Sequence, residues 1–138
     1  MVFADCLGDD DPAVDDREVS GSLPVFAGRK PEFSDMKRLK LARDVFRETL
    51  RLYPPVPLMS RDATRKTKLR DKLVKKGAMV FISPWLIHRH RKLWDRPDVF
   101  DPDRFADPAS KESLRAGYIP FSAGPRVCLG ASFAMQEA

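Results

Sequence analysis

Residues 121–130 read Phe-Ser-Ala-Gly-Pro-Arg-Val-Cys-Leu-Gly, and the chain then runs into Ala-Ser-Phe-Ala-Met-Gln-Glu-Ala at 131–138. No other stretch restricts the fold so tightly. Glycines at 124 and 130 interrupt it, so it reads as a short loop that presents Cys128 and then turns into a helix. A thiolate at the head of a helix lies near the positive end of the macrodipole and several unpaired backbone N–H groups. Those conditions lower a cysteine pKa and keep the sulfur anionic. An anionic sulfur with free lone pairs is either a nucleophile or a metal ligand. The loop alone leaves both open.

At 138 residues and 43% hydrophobic, the chain is long enough for one core, while 12 prolines and 33% charged residues imply few regular elements joined by much turning chain. The net charge of +5 is unevenly placed: residues 1–35 carry three basic and nine acidic side chains, and residues 61–96 carry twelve basic and three acidic. A basic stretch of that kind suits an acidic protein partner, a membrane surface or nucleic acid, and equally a solvated hairpin. Cys6 and Cys128 are the two cysteines, in no paired spacing, which argues against a disulfide framework or a structural zinc site and for a reducing compartment. Cys6 reads as a small buried or half-exposed thiol. No apolar run has bilayer-spanning length, and the first residues lack the basic start and apolar core of a signal peptide.

Along the chain, residues 1–34 carry turn signals (Asp9-Asp-Asp-Pro12, Asp15-Asp16, Gly21-Ser22), with short apolar pieces such as Leu23-Pro-Val-Phe26. The spacing of Met36, Leu39, Ala42, Phe46, Leu50 and Tyr53 predicts a helix from Asp35 to Tyr53, capped by Ser34 or Asp35 and stopped by Pro54-Pro55. Glu48 and Arg51 share a face of it, a spacing that by itself is most often a surface ion pair. Leu58 to Leu73 reads as extended and very basic. A turn at Lys76-Gly77 leads to the apolar strand Ala78–Ser83, and Pro84 opens a short helix, Trp85 to His90. Residues 96–105, rich in proline and aspartate, predict an ordered irregular meander anchored by Trp94, Phe100 and Phe105. His88 and His90 have a metal-pair spacing, but no third and fourth ligand lies nearby in sequence.

Three motifs now stand in order: Glu48-x-x-Arg51 on a helix ending in Leu-Tyr-Pro-Pro, Phe100-Asp-Pro-Asp-Arg104-Phe105, and Phe121-x-x-Gly124-x-Arg126-x-Cys128-x-Gly130. Together they resemble the C-terminal part of the cytochrome P-450 family, the haem-thiolate monooxygenases. The last motif is the specific one: five fixed positions at roughly one in twenty each match by chance on the order of once in three million starts. The resemblance covers residues 34–138 and is weak over 1–33. It implies a mainly α fold with small β-sheets (α+β), and an incomplete domain holding the C-terminal, haem-binding portion.

By that resemblance Cys128 is the axial ligand of a haem b iron, where a thiolate pushes electron density to the metal and favours O–O cleavage. Gly124 and Gly130 let the loop pass close under the macrocycle, Phe121 shields the sulfur, and N–H groups after Cys128 donate to it. Arg126 and Arg61 pair with haem propionates, for which a guanidinium fork suits a carboxylate. Glu48, Arg51 and Arg104 form a buried structural charge triad, and His88 and His90 take capping or propionate-side contacts. The implied reaction is insertion of one oxygen atom from O2 into a lipophilic organic substrate, the apolar turn Val56–Ser60 skirting the haem. Electrons come from NAD(P)H through a ferredoxin or flavoprotein at a basic proximal face formed by residues 61–96 with Lys37, Arg38, Lys40, Arg43 and Arg47. The compartment implied is the cytoplasm, and a membrane anchor, if present, precedes residue 1. The oxygen-activating helix with its acid–alcohol pair finds no match in this sequence, so the 138-residue chain is expected to bind haem weakly and to be inactive alone. Two other readings compete. A thiol enzyme built on Cys128 needs a nearby base from His88 or His90. A nucleic-acid module on residues 61–76 lacks aromatic stacking platforms, so no nucleic-acid partner is expected.

Overall fold

A computed structural model describes residue 30 and residues 32–137 of the chain. The readings for Cys6, for Leu23–Phe26 and for most of the 1–33 leader therefore lie outside the described residues. The predicted long helix is in fact two pieces. A 3₁₀ turn, Phe33–Lys37, is followed by helix α1, Lys40–Leu52. Asp35 does not cap α1. Its buried carboxylate instead accepts from the N–H of Glu32, while its own N–H donates to the Glu32 carbonyl, and these two bonds close a tight local turn. The N–H of Lys40 then bonds the carbonyl of Arg38, so the backbone bends at Leu39 (φ −82°, ψ 60°) before α1 begins. The other end follows expectation. The last helical bond runs from the N–H of Tyr53 to the carbonyl of Thr49, and Pro54 and Pro55 have no N–H to continue the series.

After the prolines come β1 (Met59–Asp62), β2 (Thr67–Leu69), β3 (Lys72–Val74) and β4 (Met79–Ile82). β1 pairs antiparallel with β4, Met59 opposite Ile82 and Arg61 opposite Val80, and β2 pairs with β3 as a separate hairpin. The expectation of one extended stretch from Leu58 to Leu73 therefore misses a turn at Arg70-Asp71, where Arg70 takes a left-handed φ of 54°. Gly77 turns the chain into β4 with φ 80°, a conformation open to glycine without cost. Helix α2, Pro84–Ile87, starts where Ser83 accepts from the N–H of Leu86 and donates its hydroxyl to the Pro57 carbonyl. The meander follows, with 3₁₀ turns at Pro102–Phe105 and Pro108–Ser110. Helix α3, Lys111–Gly117, is an element for which the sequence offers no expectation, and it ends against Trp94 and Leu93. Helix α4, Ala131–Glu137, follows the cysteine loop as expected. No helix among the described residues is long and apolar enough to cross a membrane.

Burial is unusual in kind. The large side chains with least exposure are Arg51, His88 and Glu48, alongside buried Leu50, Leu52, Trp94 and Phe105. The buried centre of the described chain thus combines an ionic cluster with a few apolar side chains packed against it.

Candidate functional site

The site is built outward from Glu48. Its carboxylate is fully buried and accepts from Arg51 Nε at 2.7 Å and Nη2 at 2.9 Å, from Arg104 Nε at 2.9 Å, and from the N–H of Asp101 at 2.9 Å. One carboxylate thus serves two guanidiniums and one backbone amide. The remaining guanidinium hydrogens satisfy the meander. Arg51 donates to the carbonyls of His88, Pro97 and Val99, and Arg104 to those of Asp95, Arg96 and Val99. A segment with no regular ladder stays ordered because buried carbonyls need donors, and here the donors are arginines. Arg51 also lies over the ring of Trp94, 5.3 Å from its centroid. Glu48, Arg51 and Arg104 are therefore together, as the motif order implied, and they clamp α1 to the meander.

His88 belongs to the same centre, a placement the sequence reading missed. Its ring is fully buried, stacked on Tyr118 and edge-on to Trp94. Nδ1 lies 3.0 Å from the carbonyl of Arg51, and Nε2 lies 2.9 Å from the N–H of Ile119. A carbonyl only accepts and an amide N–H only donates, so the ring is neutral with its proton on Nδ1. Burial, with Arg51 and Arg89 nearby, lowers its pKa from 6.5 to about 4. Both nitrogens are committed, which leaves His88 unable to serve Cys128 as a base. His90 is exposed and accepts from the N–H of Lys92. Among the described residues no cluster of histidine, cysteine and carboxylate side chains forms a metal site.

The cysteine loop leaves this centre through Tyr118, whose hydroxyl donates to the carbonyl of Arg47 and whose pKa is raised by burial. The loop is pinched at its base, where the N–H of Cys128 donates to the carbonyl of Phe121 at 2.9 Å. Ser122 (φ 66°) and Gly124 (φ 71°) both take the left-handed conformation that turns it. Cys128 is a free, exposed thiol flanked by half-exposed Val127 and fully exposed Leu129, with the Arg126 guanidinium also at the surface. A Cβ on Gly130 would lie 3.8 Å from the Cys128 sulfur, and one on Gly124 would meet nothing within 4 Å. The outer face of the loop thus offers a soft sulfur donor among apolar side chains, with a cation beside it. That donor set and surface fit a flat apolar macrocycle with anionic edge groups. Phe121 is half-buried and lines a cleft of about 520 Å³ with Tyr118, Ala131 and Met135. Arg61 is exposed on β1, where its guanidinium donates to the carbonyl of Ser60.

Of the cations read as a docking face, Lys37, Arg38, Lys40 and Arg43 are exposed. Arg47 is turned inward. It pairs with buried Asp44 at 3.1 Å and lies 4.1 Å from the centroid of the Phe105 ring.

The structure thus combines an exposed cysteine on a tight loop with a buried glutamate–arginine–arginine clamp that ties α1 to the meander. The cytochrome P-450 family model matches residues 16–138. The chain is 43% identical over 114 residues to cyclooctatin synthase of Streptomyces melanosporofaciens, covering 83% of this chain and 25% of that protein. It is 44% identical over 103 residues to a probable cytochrome P-450 4p3 of Drosophila melanogaster, covering 74% of this chain and 20% of that protein. It is 41% identical over 117 residues to leukotriene-B4 omega-hydroxylase 3 of Mus musculus, covering 82% of this chain and 22% of that protein. This chain belongs to the cytochrome P-450 family. It spans about a quarter or less of the length of these curated relatives.

Proposed function

We propose that this chain provides the proximal wall of a haem monooxygenase, residues 34–138 forming the haem-binding portion behind a leader at 1–33. The observation that carries the reading is the exposed Cys128 thiol, held at the mouth of its loop by the Phe121–Cys128 backbone bond with the buried triad behind it. When bound, haem b supplies oxygen activation. The chain's own residues do the rest. Cys128 ligates as thiolate, Phe121 limits water at the sulfur, and Gly124 and Gly130 add no side chain of their own to the loop face. Arg126 and Arg61 neutralise the two propionates. Glu48, Arg51 and Arg104 keep the loop's foundation rigid and touch no reactant.

The parent activity is insertion of one oxygen atom into a lipophilic organic substrate, and one relative carries the name of a hydroxylase. Electrons arrive from NAD(P)H through a ferredoxin or flavoprotein at the basic face around Lys37, Arg38, Lys40 and Arg43, in the cytoplasm. The 138 residues alone hold haem weakly and do not turn over substrate. Stable stoichiometric haem incorporation by this chain refutes that last statement. The ligand assignment is tested by the reduced carbon-monoxide spectrum of a full-length, haem-loaded form. A red-shifted band is expected that disappears in Cys128→Ala, and its persistence in that variant overturns the assignment.

A further inference from the structure

The double proline that ends α1 creates a specific vacancy in the hydrogen-bond ladder. In a helix the carbonyl of residue 51 accepts from the N–H of residue 55, and residue 55 is proline. A buried carbonyl without a donor costs about 1–3 kcal/mol, so something must replace that N–H. The replacement is His88 Nδ1, at 3.0 Å. The exchange is reciprocal, because the Arg51 guanidinium donates to the carbonyl of His88 at 2.7 Å. The other face of the imidazole takes the N–H of Ile119 at 2.9 Å. Ile119 lies two residues before Phe121, whose carbonyl holds the N–H of Cys128. The N–H of Ser122 returns to the carbonyl of Ile119, so residues 119–122 form one turn hung from the imidazole.

We infer that His88 is a positioning residue for the thiolate loop. Its ring substitutes for the N–H that Pro55 lacks and fixes Ile119, and through Ile119 it sets where Phe121 presents the Cys128 amide. The imidazole is a rigid ruler between the end of α1 and the start of the loop. Tyr118 adds a second anchor one helical turn back, through the carbonyl of Arg47, and its ring stacks on His88 at 5.6 Å. The consequence for a haem ligand rests on the reading of Cys128 given above, whereas the clamp itself does not.

The test uses the ¹⁵N-labelled chain and two substitutions of opposite reach. In His88→Gln the side-chain oxygen extends to the Nε2 position and still accepts from Ile119. In His88→Asn the amide nitrogen sits near the Nδ1 position and still serves Arg51, but nothing reaches Ile119. Hydrogen exchange at Ile119 is expected to accelerate on the order of tenfold in His88→Asn, as for loss of one net hydrogen bond. Cys128 should follow in the same direction and amides in residues 40–52 should not, while His88→Gln should restore most of the protection. Nitrogen chemical shifts of His88 should show the proton on Nδ1. A proton on Nε2 overturns the inference. So does equal, uniform acceleration across residues 40–52 in both variants, since that is the behaviour of a mere packing residue. The haem-loaded protein separates the two claims. If His88→Asn loosens Ile119 and Cys128 while Cys128→Ala leaves the red-shifted band in place, the clamp stands and the haem reading falls. If the band depends on Cys128 while exchange at Ile119 ignores His88, the haem reading stands and the clamp falls.

Discussion

Replacing Glu48 by glutamine removes one charge and changes almost no volume, so its effect isolates the electrostatic role of the triad. Oε1 accepts three donors (Arg51 Nη2, Arg104 Nε and the N–H of Asp101), whereas Oε2 accepts only Arg51 Nε. The glutamine oxygen therefore keeps the crowded position and its NH₂ is forced to face Arg51 Nε, which stands 2.7 Å away in the parent. A charge-assisted bond of about 1.5–3 kcal/mol becomes a donor–donor contact. Two buried guanidiniums also lose the carboxylate they share, and removing one partner of a buried pair costs about 3–5 kcal/mol in all. Against a domain stability of about 5–15 kcal/mol that is a large fraction. Urea denaturation followed by the fluorescence of Trp85 and buried Trp94 should place the midpoint roughly 2 M lower for a slope of about 2 kcal/mol/M. The internal control is Glu112 and Arg115, a pair of the same spacing with both side chains about three-quarters exposed. Glu112→Gln should change stability by a few tenths of a kcal/mol. A loss below about 1 kcal/mol for Glu48→Gln, or equal losses for the two glutamates, refutes the claim that burial gives the triad its weight.

Three other outcomes follow from particular residues. The depressed pKa of His88, about 4 against 6.5 in the unfolded chain and caused first by burial, means the unfolded state binds more protons between those values. Stability should therefore be fully present above pH 6.5 and fall as pH drops toward 4, by about 3 kcal/mol from this group. Denaturation curves of the parent and His88→Gln at pH 7 and 4.5 should differ in pH slope, and equal slopes refute the assignment. Gly124→Ala should cost about 1–2 kcal/mol from its left-handed φ alone, because the added Cβ meets no atom; the thermal midpoint measures it. Gly117→Val should cost about 1–3 kcal/mol for a steric reason, since a Cβ there already stands 3.0 Å from Leu93 Cδ1, and Leu93→Ala should recover part of the loss in a double-mutant cycle.

What could be read from residues and what could not divide along physical lines. Helix α1 was legible because its apolar spacing and proline stop are local signals, but its first turn was not. Asp35 looked like a cap, and only the fold shows its carboxylate turned back to Glu32. The β2–β3 hairpin gave no signal because every residue in β2 is exposed, leaving no alternation to detect, and Arg70 turns the chain without glycine or asparagine. Helix α3 carries no start signal of its own: Asp107 caps the preceding 3₁₀ turn by accepting from the N–H of Ala109, and Ser110, at the head of α3, makes no side-chain cap bond. The glutamate–arginine spacing occurs twice, at 48–51 and 112–115, with opposite burial. Spacing alone cannot distinguish them; the arginine of the meander, 56 residues along, does. His88 shares an H-x-H spacing with His90 and reads from sequence as a capping or propionate-side contact, whereas the structure buries it against Arg51 and Ile119. The informative signal lay at Pro54-Pro55, which leave helix carbonyls in need of a donor.

The ionic centre also has a thermal meaning. Unfolding heat capacity rises with apolar surface exposed and falls with polar surface exposed, so a centre of Glu48, Arg51, Arg104 and His88 contributes little curvature to stability against temperature. The cost of stripping water from charged groups also shrinks on warming. The clamp behind the Cys128 loop therefore becomes less costly to bury as the chain warms, a gain that an aliphatic core, whose stabilisation levels off with heat, does not share.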